Sequence, residues 1–154
     1  MQPKVILQIS NEPIDEEDYF EEFELDGFVP LVADCVIKTK SKKRSDYLQE
    51  LLVSSGGGIK KEGNRFIIAD KQEYFMDKYE RFTEILNELK TSIETFIGND
   101  GLVLSDLHYL NQAFDQKYGY YVVDENQWRT LDSFVRESKD GTAFYIGSIF
   151  EYKY

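Results

Sequence analysis

From Phe75 to Phe96 the apolar residues Phe75, Tyr79, Phe82, Leu86, Leu89, Ile93 and Phe96 recur at alternating spacings of four and three. That period follows one face of an α-helix. Asp70 and Glu73, three residues apart, give a capping-box start, and Gly98 gives a stop. The spacing therefore predicts a long amphipathic helix over about 71–97. Such a seam suits a core helix lying across a sheet, or else a coiled-coil or dimer seam. The flanking positions carry no sustained charge code, which favours the core role.

Other segments change period. KVILQI (4–9) reads as a short strand rich in β-branched and aliphatic residues, and VPLVADCVIK (29–38) as a largely buried one. Ser45 caps a helix over 46–53, with Tyr47, Leu48, Leu51 and Leu52 on one face, ended by the run Ser54 to Gly58. Residues 59–69 read as a hairpin turning at Gly63 and Asn64. Asn99 to Gly101 is a turn, and Ser105 starts a helix to about Tyr118, with Leu107, Leu110, Phe114 and Tyr118 inward. Residues 120–123 form a strand. Asp124 with Gln127 then caps a helix turning Trp128, Leu131, Phe134 and Val135 to the core. The last strand is 142–153, where Gly147 marks a bulge or bend, and its even-numbered residues from Phe144 to Tyr154 share a face.

The strands do not alternate regularly with helices, so the expected fold is α+β. It is a single domain over 1–154, with a mainly antiparallel sheet of about 4–6 strands, the long helix and two to four shorter helices packed on it. A chain of this length buries roughly 68–70% of its unfolded surface and needs no staple. Cys35 is the lone cysteine, which excludes an internal disulfide and a four-cysteine zinc site. Its place in a strand expected to be buried makes it a small packing residue. No metal and no cofactor is expected. The apolar run near the N-terminus is too short for a signal-peptide core, and no window reaches membrane-helix length, so a cytoplasmic location is expected.

Charge is unevenly distributed. The formal net charge is −11, and the twelve residues from Asp15 to Asp26 hold eight acids and no base, so the other 142 residues sum to −3. The balance argues against direct binding of nucleic acid or of an anionic membrane, both of which need positive counter-charge. The segment KTKSKKR (38–44) holds five positive charges. It reads as a solvated loop, or as a partner for the acids within the chain or across a dimer.

Motifs for chemistry fail on context. SSGGGIKK has a helix before the glycines and a strand after them, the reverse of a phosphate loop. His108 is the single histidine and lacks a second ligand. The carboxylate pairs Glu73/Asp77 and Glu80/Glu84 lie on a helix face mixed with Lys and Arg, as solvated faces do. No catalytic residue is nominated, and the chain leans away from being an enzyme. The acidic segment remains. Asp15, Glu16, Glu17, Asp18, Glu21, Glu22, Glu24 and Asp26 surround Tyr19, Phe20 and Phe23, giving aromatic anchors ringed by carboxylates in a short helix or a loop. These eleven residues are the candidate partner-binding set. The expected function is a small non-enzymatic inhibitor or immunity-type protein that neutralises a basic protein partner, such as a nuclease toxin or a nucleic-acid-binding protein. The alternatives are an enzyme with a carboxylate or carboxylate–metal site, and a structural homodimer joined through the 75–96 seam. Burial of all three rings would make the acids a solvated face. Their joint exposure would make the segment a docking surface.

Overall fold

The computed structural model describes residues 4–25, 33–90, 93–98, 100–114, 119–125 and 127–153. The chain divides into two compact units, Met1–Tyr74 with Tyr118–Tyr154, and Phe75–Lys117. As expected from the sequence, the fold is α+β with a mostly antiparallel sheet.

Among its described residues the first unit holds seven strands, β1 Val5–Ser10, β2 Cys35–Lys38, β3 Ile59–Glu62, β4 Arg65–Ile68, β5 Tyr120–Val123, β6 Trp128–Thr130 and β7 Ala143–Lys153. The order is β3-β4-β7-β1-β5-β6, with β2 also on β7. Among the described residues only the β1–β5 pairing is parallel. The long apolar β7 is the spine. It pairs with β1 along one edge, and along the other with β4 at Ala143–Phe144 and with β2 at Phe150–Lys153. Between β4 and β2, the edge of β7 has no strand partner among the described residues. Thr39 and Arg44 fill this gap. Thr39 N and Oγ1 both donate to Ile149 O at 2.8 Å, and Arg44 Nη2 donates to Ile146 O at 2.7 Å while Nη1 reaches Gly147 O. Buried carbonyls are thus satisfied by side chains where the ladder is interrupted.

The register against β1 shifts within β7. Leu7 faces Ile149 and Ile9 faces Ile146, so Gly147 and Ser148 together oppose Gln8. This is the bulge expected at Gly147. It also breaks the simple alternation expected along the strand, because Ile146 and Ile149 now lie on one face with Leu7 and Ile9.

The two sheet faces are covered differently. On one, helix α1 (Ser41–Ser54) buries Leu51, and Tyr47 bonds Glu151. Helix α5 (Leu131–Glu137) brings Phe134 edge-on to Phe144 at 5.4 Å, and Phe144 stacks on Phe66 at 5.7 Å. The opposite face buries Ile6, Tyr121, Val123, Phe150 and Tyr152 against Leu25 and Ala33, with Phe20, Val36 and Trp128 partly buried beside them. Within the first unit no described α-helix lies there. The acidic segment is its cover.

Four sequence expectations are corrected. Trp128 is in β6, not in a helix, because Asp124 and Gln127 close a hairpin turn (Asp124 N to Gln127 O, 2.9 Å; Gln127 N to Asp124 Oδ1, 3.2 Å). Helix α5 starts after Thr130, whose Oγ1 accepts from Ser133 N. Helix α1 starts at Ser41, before Ser45, so the basic run opens the helix against its dipole. Cys35 is exposed, since β2 is an edge strand whose described part begins there; residues 29–32 lie outside the described ones. The hairpin is as expected, with Gly63 (φ 65°) alone taking the positive φ of its two-residue turn.

The second unit is helical. The long helix is α2, Lys71–Leu89, which ends short of the expected 97, with a turn at Lys90; Asp70 Oδ1 starts it by accepting from Gln72 N at 3.0 Å and Glu73 N at 3.3 Å. Phe75, Phe82, Leu86 and Leu89 are half-buried and Ile85 is buried, while Tyr79 faces out. Two further helices follow, α3 Ile93–Gly98 and α4 Asp100–Phe114. Helix α4 thus starts earlier than Ser105 and includes part of the expected turn; residues 115–118, with Tyr118, lie outside the described ones.

At the start of α2, the buried Tyr74 hydroxyl donates to the buried Asp132 Oδ1 at 2.8 Å. Burial, and then the Asp132 carboxylate, hold the phenol far above its ordinary value. Unfolded tyrosine ionises near pH 10 while the folded one keeps its proton, so this contribution is intact below about pH 10 and is lost as pH rises beyond it. Tyr74→Phe should cost about 1–2 kcal/mol at pH 7. The gap from wild type should narrow above about pH 10 in urea titrations run across that range. A gap independent of pH would contradict the assignment.

Candidate functional site: an acidic cleft pinned by a buried glutamine

Gln8 is 5% exposed at the centre of β1, opposite the bulge. A side chain on Gly147 would meet it, since a Cβ there would lie 2.7 Å from Gln8 Cδ. Its amide makes three hydrogen bonds. Phe20 N donates to Oε1 at 2.8 Å, Ser148 N donates to Oε1 at 3.0 Å, and Nε2 donates to Asp18 O at 3.0 Å. Two N–H donors and one carbonyl acceptor fix the amide's orientation without ambiguity. Ser148 Oγ adds a fourth link by donating to Phe20 O at 2.7 Å. The backbone of 18–20 is thereby held to the sheet at the bulge.

These bonds decide the local conformation. An α-helix through 16–25 would need Phe20 N–H for its own ladder, and Gln8 takes it. The chain instead forms two short 3₁₀ turns, Glu16–Asp18 and Glu22–Leu25, and Asp15 makes no side-chain cap. In the second turn Glu24 Oε2 accepts from Glu21 N at 2.7 Å. Of the short helix or loop expected, the segment is thus neither an α-helix nor a free loop. Tyr19 and Phe20 are half-buried, Leu25 is buried and Phe23 is 70% exposed. The rings thus take separate roles, Phe20 in the core, Tyr19 under Arg44 (guanidinium 5.3 Å from the ring centroid), and Phe23 outward.

Part of the basic run meets the acids within the chain. Lys38 Nζ pairs with Glu21 Oε1 at 2.8 Å, and Lys38 N donates to Glu22 Oε1 at 2.9 Å. The second contact closes the outer edge of β2, where a free N–H would invite another strand. The ion pair is half-exposed and contributes about 0–1 kcal/mol.

A cleft of about 1050 Å³ opens where the carboxyl ends of the parallel strands β1 and β5 meet the start of β7. Its inner wall is Ile9, Phe134, Ala143 and Phe144, and its rim carries Glu12, Glu16, Glu17, Asp18, Glu21, Glu24, Asp124 and Glu125 with no Lys or Arg. Of the expected binding set, Glu16, Glu17, Asp18, Tyr19, Phe20, Glu21 and Glu24 line this cleft. Asp15, Glu22 and Phe23 lie outside the lining, Glu22 being turned to β2, and Asp26 falls outside the described residues. Glu12, Asp124 and Glu125 were not expected. Asp124 and Glu125 come from a distant hairpin, and only the parallel pairing of β5 with β1 brings them opposite the segment. Among the described residues no three His, Cys, Asp or Glu side chains converge to hold a metal ion, and no helix is long and apolar enough to cross a membrane. No protein-family model, curated protein or solved structure matches this chain.

Removing the Gln8 amide strands the N–H groups of Phe20 and Ser148 and the carbonyl of Asp18. Gln8→Ala should therefore cost about 2–4 kcal/mol in urea denaturation. Gly147→Ala should also destabilise, and by less in a Gln8→Ala background, because the colliding amide is gone. Additive costs would refute that contact.

Proposed function

We propose that this chain is a non-enzymatic binding protein that takes a basic protein partner into the acidic cleft. The observation that carries the reading is the one-signed lining: among the described residues eight carboxylates and no Lys or Arg line the cleft, and of the eight Glu21 pairs with a neighbouring cation, Lys38. A cleft lined by one charge concentrates the field and speeds the arrival of an oppositely charged partner. The Gln8 anchor fixes the acidic wall before binding, so little ordering cost falls on association. The exposed Phe23 ring, beside the wall, provides an apolar contact of the kind that dominates binding energy. A partner whose own groove binds nucleic acid offers the matching positive surface, which is the inhibitor or immunity-type role.

Capture from the native host with the tagged chain supplies the partner, and two variants with the same charge change test the site. Glu16→Gln/Glu17→Gln/Asp18→Asn should lower the association rate at low salt by about tenfold or more and flatten its dependence on ionic strength. Glu80→Gln/Glu84→Gln/Glu88→Gln, on α2, should leave both nearly unchanged. Equal effects from the two sets would reduce the cleft to its share of net charge and refute the proposal.

A further inference from the structure

Strand β1 ends before β7 does. Its last described pair is Ser10 with Tyr145, while β7 reaches back to Ala143. Glu12 would face Ala143 in this register, but the chain has turned aside, and Glu12 N donates to Ser10 Oγ at 3.1 Å. Backbone groups point alternately to the two edges of a strand. Ile146 O points away from β1, where Arg44 takes it, so the N–H and C=O of Tyr145 and of Ala143 point to the β1 edge. Strand β4 lies on the opposite edge. Among the described residues neither backbone group of Ala143 finds a hydrogen-bond partner. Ala143 is half-buried and lines the acidic cleft. The cleft therefore holds one open rung of the sheet, the kind of edge on which another strand adds.

The rung selects the backbone of its occupant. A helix uses its N–H and C=O groups within itself, whereas an extended segment presents them along its edges. The walls select the side chains. With its backbone at Ala143, an occupant lays the methylene stems of Lys or Arg along the apolar inner wall at Ile9, Phe134 and Phe144, and their charged heads reach the acidic rim. At about 1050 Å³ the cleft exceeds the roughly 300–1,000 Å³ of a small-molecule site, which suits a stretch of chain.

We infer that the cleft takes its partner as an extended, Lys- or Arg-rich segment that hydrogen-bonds to Ala143 along the line β1 vacates. The inference rests on the reading of the cleft as the site for a basic protein and adds the form in which that protein is bound. The probe is a short synthetic peptide of alternating lysine and valine, with a helical lysine peptide of equal charge as control. In the free full-length chain the Ala143 amide should exchange far faster than the Phe144 amide beside it. Saturating extended peptide should slow Ala143 exchange by about tenfold or more, and the helical peptide should leave it unchanged. Ala143→Pro deletes the cleft-facing N–H at the first residue of a strand, where proline is tolerated. It should weaken extended-peptide binding by about three- to tenfold, the loss of one hydrogen bond. The exchange measurement needs no variant. An extended peptide that does not bind, one that binds with Ala143 still exchanging freely, or equal protection by the helical peptide would each overturn the inference and leave the acidic cleft as the proposed site. Peptide binding indifferent to Glu16→Gln/Glu17→Gln/Asp18→Asn would instead overturn the reading of the cleft, and the inference with it.

Discussion

One buried amide, Gln8, sits where three separate parts of the chain must agree. It faces a bulge in β7, it lies over a glycine that leaves it room, and it grips the backbone of the acidic segment. An amide buried to this degree is costly unless its oxygen and its nitrogen both find partners, and here both do. That all-or-nothing quality specifies one register between β1 and β7. It also specifies one path for residues 18–20, which no apolar contact could do as sharply. Arg44 acts similarly from the other side of the bulge, donating to two β7 carbonyls and lying over Tyr19.

The acidic segment thereby has two physical duties. Inward, Phe20 and Leu25 cover a sheet face that no described α-helix of the first unit covers. Outward, Glu16, Glu17, Asp18, Glu21 and Glu24 form one wall of the cleft. Eight like charges in twelve residues repel one another. The segment holds its shape because its anchors are backbone hydrogen bonds and two apolar side chains, which pay no heed to that repulsion. A charged wall fixed in this manner differs from an acidic tail, whose carboxylates would move with the chain and focus little field.

Much of the fold was legible because it rests on local rules. The Asp70 cap, the Gly63 turn, the apolar run of β7 and the bulge at Gly147 each follow from residue types within a few positions. The errors arose where one local signal has two structural uses. Asp124 with Gln127 looks like a helix start, yet the same side-chain-to-backbone bond closes a hairpin and leaves Trp128 in a strand. A basic run opposes a helix dipole, and α1 nonetheless starts inside it because Arg44 is held by β7. For the site, the acids of one wall were legible as a cluster. Glu12 and the Asp124–Glu125 wall were not, since strand pairing across more than a hundred residues assembles the cleft. The conformation of 16–25 was not legible either, because its deciding partners, Gln8 and Ser148, are distant in sequence and look unremarkable in their own strands.

The central claim is that the acidic segment is pinned to the sheet by Gln8 before any partner arrives. Native-state amide hydrogen exchange of Phe20 in the free protein tests it most directly. The account predicts that the Phe20 N–H is protected to nearly the same degree as the β1 amides beside it, because releasing it breaks the Gln8 network. Exchange at the rate of an open loop, with β1 still protected, would contradict it.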